Sequence, residues 1–439
     1  MKKWSLILLI LIICGAAAQL IRPQIGNPPV TADISAPPEV EQVLKRACYD
    51  CHSNETKLTW FDRITPADFL VAGHIRMGRK VLNFSHWDSL TRDQRLGKLY
   101  ESLNQATFGV MPLSDYTRFH PAARISDQDL EVFKNYLLSI TPVIHPDSAN
   151  SAKEAAADAQ YAKWIGTAAR SILPAPNGIA FPAGFENWEA ISTSERFDNG
   201  TMRVIFGNDI AVKAIKEQHT NPWPDGTVFA KAAWDQVTDS TGAIHPGAFK
   251  QVEFMIRDKT KYAGTDGWGF ARWVKGTDLV PYGKTALFAT ECTNCHKPMQ
   301  NNDFVFTLPI QPTEGRVITS GIDRQSKTMF TLYGNDLAAA AARTGQPYPA
   351  GAGLYLVTWA QRPDPHWFGA NIPDPDKKLS VEKVTFTANA AGKVQPVYEG
   401  SGTTSQAASG AANRRLASQT GAASPRLASL LSQRVSVLP

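Results

Sequence analysis

The chain is 439 residues long, 43% hydrophobic and 19% charged, with a formal net charge of +5. That length is too great for one small core, so two or more domains are expected. The positive charge comes partly from Lys2, Lys3 and Arg22 and partly from arginines in a final 40 residues without any acidic side chain; it leaves no basic footprint that would argue for nucleic acid as a partner.

The N-terminus reads as a targeting segment over residues 1–21. Lys2 and Lys3 precede an apolar run at 4–18, and Ala16, Ala17 and Ala18 supply the small residues of a cleavage site. The run falls short of the about 20 apolar residues of a membrane span, although Leu20 and Ile21 extend it nearly that far. A cleaved signal peptide is therefore favoured over an N-terminal membrane anchor, and both place the rest of the chain in the periplasm. Cys14-Gly15 has the look of a lipoprotein site, but bulky Ile13 stands where a small residue is wanted.

A Pro-rich lead-in at 23–38 opens onto a helical unit, residues 39–144. Helices are predicted over 40–47, 66–78, 91–108 and 126–140, the last with Ser126 and Asp129 as a capping pair ahead of Leu130, Phe133 and Leu137. Residues 145–180 are rich in Ala and Ser and read as a linker with one helix. From Phe181 short strands are predicted at 202–206, 227–234 and 251–256, separated by Gly, Pro and Asp turns. They define an α+β domain with an antiparallel sheet at 181–310.

An internal repeat follows at 311–395. Thr201-Met202-Arg203-Val204-Ile205-Phe206-Gly207-Asn208-Asp209-Ile210-Ala211 matches Thr328-Met329-Phe330-Thr331-Leu332-Tyr333-Gly334-Asn335-Asp336-Leu337-Ala338. Each copy continues into an aromatic-Pro-x-Gly turn, at 223–226 and 348–351, and reaches a tryptophan 11 residues after that aromatic, Trp234 and Trp359. Matched identity with matched spacing points to duplication. The tail at 396–439 is Ser, Ala, Gly and Gln with scattered arginines, too poor in apolar surface to order itself.

Four of the five cysteines form two Cys-x-x-Cys-His motifs, Cys48-Tyr49-Asp50-Cys51-His52 and Cys292-Thr293-Asn294-Cys295-His296. Two intervening residues let both thiols add to one edge of a haem, and the adjoining histidine then falls beneath the iron as proximal ligand. A redox CxxC pair or a shared four-thiolate zinc site would also use such cysteines. The pairs lie about 240 residues apart in segments of different character, and both carry the histidine. Two covalently attached c-type haems are the expectation. For the first, Met111 in Gly109-Val110-Met111-Pro112 is the leading distal ligand, with His74, His86 and His120 as competitors; methionine or histidine would close the iron for electron transfer.

Cys48 to Thr56, with His74, Gly78-Arg79, Asn83-Phe84-Ser85, Met111-Pro112, Tyr116 and His120-Pro121, resembles a family of exported haem-binding domains. The resemblance implies a c-type haem and no defined reaction. The second half resembles the cytochrome P-460 family over about 181–310, on Phe181-Pro182, Gly184, Trp188, Arg203, Asp225-Gly226-Thr227-Val228-Phe229-Ala230-Lys231, Asp258, Gly267-Trp268-Gly269-Phe270, Cys292 to His296 and Asp303-Phe304-Val305-Phe306. This resemblance implies that His296 is the proximal ligand, that Lys231 is cross-linked to the porphyrin edge and that Arg203 lies in the distal pocket. It also implies hydroxylamine oxidation or, as in the related cytochromes c-prime-beta, nitric oxide binding.

Spacing alone gives Lys231 a strand face shared with Thr227 and Phe229, where a lysine is ordinarily solvated, and Arg203 an edge or surface place. The repeat adds a contrast: its second copy has Phe330 and Leu356 at the positions of Arg203 and Lys231. Hydroxylamine chemistry also asks for a base, for which Asp209, Glu217, His219 and Glu253 compete, whereas a pocket lined by Phe206 or Phe229 would favour gas binding. The expected protein is a helical cytochrome c-like domain followed by the sheet domain and its degenerate half-copy. Its expected activity is redox chemistry on a small nitrogen compound at the second haem, with electrons leaving through the first to a partner protein; a homodimer is compatible with the chain. A dihaem carrier without catalysis and a nitric-oxide binding protein are the alternatives.

Overall fold

The computed structural model describes residues 2–142, 155, 159–160, 172–238, 242–275, 279–310, 315–399 and 425–431. The chain divides into two compact units, Met1–Pro142 and Val143–Pro439.

The first unit is helical: α1 (Lys2–Ala18), α2 (Pro38–Ala47), α3 (Tyr49–His52), α4 (Ala67–Val81), α5 (Arg92–Thr107), α6 (Ser114–Phe119) and α7 (Asp127–Ile140). Local chemistry starts the long helices. Thr91 with Gln94 and Ser126 with Asp129 both close reciprocal capping boxes. Apolar spacing then assembles the core, because Val40, Val43, Leu44 and Ala47 form one buried stripe of α2. Leu44, Tyr100, Leu103 and Leu137 are fully enclosed. The apolar side chains of α1 from Leu6 to Ile13 are exposed, and among the described residues no helix is long and apolar enough to cross a membrane.

The second unit holds an antiparallel sheet. Its first copy is β1 (Glu189–Arg196), β2 (Thr201–Gly207), α8 (Asp209–Lys216), β3 (Val228–Thr238) and β4 (Ala243–Arg257), extended by β5 (Trp268–Lys275), β6 (Leu279–Pro281) and α9 (Phe288–His296). Its second copy is β7 (Arg316–Asp323), β8 (Thr328–Gly334), α10 (Asp336–Thr344), β9 (Gly353–Pro363) and β10 (Ala370–Ala388), with β11 (Val394–Glu399) on its edge and α11 (Pro425–Leu430) near the C-terminus. The strand order is β3-β2-β1-β10-β9-β8-β7-β4-β5-β6, and β3 also pairs with β4, so eight strands close into a ring.

The copies share register as well as order. Met202 pairs with Trp234 as Met329 does with Trp359, and Ile205 pairs with Lys231 as Leu332 does with Leu356. The repeated Gly-Asn has a mechanical reason. Asn208 caps α8 through the Ala211 N–H while its amide donates to Gly226 O at 2.8 Å, and Asn335 does the same with Ala338 and Gly351 O at 2.8 Å. A side chain on Gly207 or Gly334 would lie 2.9 or 2.8 Å from Ala211 or Ala338, so only glycine lets each helix lie close to its strands.

The sheet interlocks the copies by exchange. The end of β1 pairs with the start of β10 (Glu195 with Asn371, Arg196 with Ala370), and the end of β7 pairs with the start of β4 (Asp323 with Ala243, Ile322 with Ile244). At the first junction Glu195 is buried and accepts from Arg324, Gln361 and Asn371, all from the second copy. At the second, Met202, Ile244, Ile322 and Met329 form an apolar cluster.

Two stretches differ from the sequence expectation. Within the predicted linker, Ala175 and Ile179 are buried in the sheet core, while Leu173 O accepts from Trp273 Nε1 and Asn177 donates to Phe270 O; these small and apolar residues cover a sheet face. Within the predicted structureless tail, residues to 399 belong to β11, and Leu427 and Leu430 of α11 are buried in the same core. Two leucines three apart on one helix face supply the apolar surface that the composition of the tail as a whole lacks. Residues 400–424 and 432–439 lie outside the described residues, as does most of 145–171.

Removing the Glu195 carboxylate strands one cation and two amide donors at the junction. Glu195→Ala is expected to lower the unfolding free energy by about 3 kcal/mol, read as a lower denaturant midpoint with an unchanged slope.

Candidate haem sites

In the first unit the end of α2 runs directly into α3. The N–H groups of Cys51 and His52 both bond to Cys48 O, at 3.2 and 2.9 Å, so one helical turn carries both thiols and the imidazole. His52 Nδ1 donates to the carbonyls of Gly78 and Leu82, each at 3.1 Å, at the end of α4. Among the described residues nothing engages Nε2, which leaves it for a metal, and burial lowers the His52 pKa, which favours the neutral ring. Burial pushes the Cys48 and Cys51 thiols up to about 12. A Cβ on Gly78 would sit 2.5 Å from Cys51 O, which explains the glycine where α4 crosses the motif. Arg79 donates to Ser53 O at 2.7 Å, and Asn54 N donates to Ser85 Oγ at 2.8 Å. The polar residues that carried the resemblance thus form a clasp around the motif.

Of the four distal candidates, two are engaged at both ring nitrogens. His86 contacts Thr31 and Asn54, and His120 contacts Tyr116 O and Asp62. His74 has only Asp115, at 3.9 Å, among the described residues, and Met111, 37% exposed, follows α5.

In the second unit α9 ends on the motif, with Cys292, Cys295 and His296 in its last turn and a half. His296 Nδ1 donates to Phe304 O at 2.7 Å, and its ring lies 5.1 Å from Phe270 and 5.0 Å from Phe306. Burial lowers its pKa to about 4, so the imidazole is neutral, and burial pushes Cys292 up to about 11. The sheet presents a charged row to this helix. Ile205, Lys231, Glu253 and Arg272 are successive cross-strand partners on β2 to β5, and Arg203 shares their face two residues from Ile205. Glu253 is ion-paired with Lys231 and, at 2.8 Å, with Arg272. The charges of Lys231, Glu253 and Arg272 all act on His296 and Cys292.

Three cations thus share one carboxylate in a largely buried place. Burial depresses the Lys231 pKa, and burial followed by the nearby Arg196 lowers that of Arg203 to about 9. Arg203 Nε has no hydrogen-bond partner among the described residues. Despite the cost of burying it, Glu253 is held well below the carboxylate range by Lys231, Arg272 and Arg203. Each motif therefore presents two thiols on one turn and a neutral imidazole with Nε2 free, the donor set that a haem of the c type needs.

Residues 182–307 match the Cytochrome P460 family. Residues 8–139 match a family described as a haem-binding domain. The chain is a haem cytochrome. No curated protein matches it. The Cytochrome P460 match takes in β1 to β6, α9 and the 303–306 segment, and it stops before the second copy.

In this cytochrome, Lys231, Arg203 and Glu253 are brought to the face that α9 covers. Asp209, Glu217 and His219 are exposed at the two ends of α8. Phe229 lies on the motif face, 4.8 Å from Trp223 and 5.9 Å from Trp268. Phe206 packs on Phe185 at 6.0 Å across the other face, because strand alternation separates it from Ile205. Arg272, which sequence reasoning missed, could have been found by counting two residues on from Phe270 along β5.

The second copy fills the equivalent face with hydrocarbon. Phe330, Leu332, Leu354 and Leu356 are buried with Leu427 and Leu430 of α11, and Arg426 lies 5.0 Å over Phe330 and pairs with Asp323 at 2.7 Å. Glu382 stands opposite Leu356 as Glu253 stands opposite Lys231, but the cation is missing.

Glu253→Gln removes the only anion of the charged row, at an expected cost of about 3 kcal/mol at neutral pH. The folded-state pKa of Glu253 lies below its ordinary 4.5, so the stabilisation is complete above that value and is lost as pH falls through the folded value. Unfolding free energies measured in pH steps should show the gap between wild type and variant narrowing below pH 4.5.

Proposed function

We propose that the chain is an exported dihaem c-type cytochrome that performs redox chemistry on hydroxylamine or nitric oxide at the haem of Cys292, Cys295 and His296. Electrons leave through the haem of Cys48, Cys51 and His52 to a partner protein. The convergence of Arg203, Lys231 and Glu253 on the face beneath α9, with Phe330 and Leu356 in the copy that lacks the motif, supports this reading best.

Haem, when bound, supplies a redox-active iron with one position for a small ligand. The protein's own part follows from its side chains. Phe304 O fixes the His296 ring and its tautomer. Lys231 is the residue suited to a bond with the porphyrin edge, and burial favours the neutral amine that such a bond requires. Arg203 has an unpartnered Nε to offer a polar N–O group. Glu253 is a weak base while paired with Lys231 and Arg272; consuming the charge of Lys231 would release it toward ordinary basicity. Phe229 on the same face favours a second reading, a nitric-oxide binding protein. In the first unit Met111 or His74 would be the residue to hold the iron on its second side, and the haem there would then serve electron transfer. The apolar run of α1 behind Lys2 and Lys3 supports export, by cleavage or as an anchor.

The purified cytochrome should show one haem with a red-shifted ferrous Soret band that Lys231→Ala abolishes, together with hydroxylamine oxidation in the presence of an electron acceptor. Arg203→Ala should lower kcat by about 100-fold. Two ordinary six-coordinate spectra would end the catalytic reading, and nitric oxide binding without turnover would establish the second one. At the first haem, Met111→Ala should remove the methionine–iron charge-transfer band and His74→Ala should leave it; a wild type without that band, whose first haem turns high-spin in His74→Ala and stays low-spin in Met111→Ala, gives the ligand to His74.

A further inference from the structure

The segment that orients His296 is held from two sides, and one of them belongs to the second copy. Asp303 and Phe304 have left-handed backbones, φ 46° and 65°, which side-chain-bearing residues keep only when their surroundings impose it. On the first-copy side Asp303 accepts from Trp223 N at 2.8 Å and from Trp268 Nε1 at 3.4 Å, and it pairs with Arg257 at 3.4 Å. On the other side His366 Nδ1 donates to Phe306 O at 2.6 Å. Trp367 stands edge-on to Phe306 at 5.9 Å, and Phe306 stands edge-on to His296 at 5.0 Å.

His366 and Trp367 lie in the turn between β9 and β10, residues 364–369; in the first copy fewer residues separate the end of β3 at Thr238 from the start of β4 at Ala243. The turn is itself anchored. Trp367 N bonds to Asp364 O at 3.3 Å, Trp367 Nε1 donates to Asp198 at 3.0 Å, and Arg196 lies 4.2 Å over the Trp367 ring while pairing with the same aspartate. The segment so braced carries both the carbonyl that accepts from His296 Nδ1 and the ring packed on the imidazole.

We propose that the degenerate copy supplies two positioning residues, His366 and Trp367, to the haem site of the first copy. By holding 304–306 in place they set the strength of the His296 Nδ1–H bond to Phe304 O. A firm bond there makes the imidazole a stronger donor, which favours the ferric state and lowers the haem potential. The proposal rests on His296 being a haem ligand and is independent of what that haem reacts with.

The test is a spectroelectrochemical titration of the full-length haem-loaded protein. The wave of the sheet-domain haem is identified as the one lost in a Cys292→Ser/Cys295→Ser variant. His366→Ala and Trp367→Ala should each move that wave to higher potential and leave the other in place. His366→Asn, which restores a donor toward Phe306 O, should return it toward wild type. Trp367→Phe, which keeps a ring against Phe306, should move it less than Trp367→Ala. An unmoved wave in both alanine variants overturns the proposal, as does an equal shift of both waves or an asparagine variant that shifts as far as the alanine one. A wild type without a red-shifted band or hydroxylamine turnover would defeat the proposed reaction and leave this comparison intact.

Discussion

The exchange of strand ends between the two sheet copies governs the second unit. Where β1 meets β10, backbone pairing is reinforced by a buried carboxylate, Glu195, that draws Arg324, Gln361 and Asn371 onto one point. A buried carboxylate needs all of its partners at once, so the junction tolerates one register. The opposite junction, β7 with β4, is apolar at the same level. One polar and one apolar lock close the ring, and the closure removes the open edges that two separate half-sheets would expose.

Closure also decides what each face becomes. Both copies direct a central row of side chains outward from the same register, but they fill it differently. In the first copy the row is Lys231, Glu253 and Arg272 with Arg203 beside it, charges that cost energy to bury and are kept together by one carboxylate. In the second copy leucines and Phe330 take these positions and α11 covers them. A surface of leucines stabilises by burial alone; a row of three cations and one anion stabilises little. Its retention beneath α9, on the copy that carries the CxxCH motif, is the contrast on which the proposed chemistry rests.

Much of this was legible in the residues. The helices of the first unit are announced by Thr91 and Ser126 with their partners three residues on, and the caps form. The duplication was visible because Gly207-Asn208 and Gly334-Asn335 each do two local jobs, close helix packing and a cap tied to the following turn. Local jobs leave local signatures. Arg272 left only the period-two spacing from Phe270, since an arginine on a strand looks the same whether it faces water or a half-buried glutamate. The burial of Ala175 and Ile179, and of Leu427 and Leu430, was equally hidden, because their packing partners lie far away along the chain.

The sequence by itself determined the chemistry that must sit on contiguous residues: two CxxCH turns, each able to place two thiols and an imidazole together because one helical turn spans the motif. It also determined that the second half is a repeat with one haem motif. Tertiary structure alone decided which polar groups meet that motif. Lys231, Glu253 and Arg272 come together only through the pairing of three strands, and His366 and Trp367 reach the 304–306 segment only because the copies are interlocked. Such contacts depend on register and closure, which are properties of the whole sheet and of no single stretch of chain.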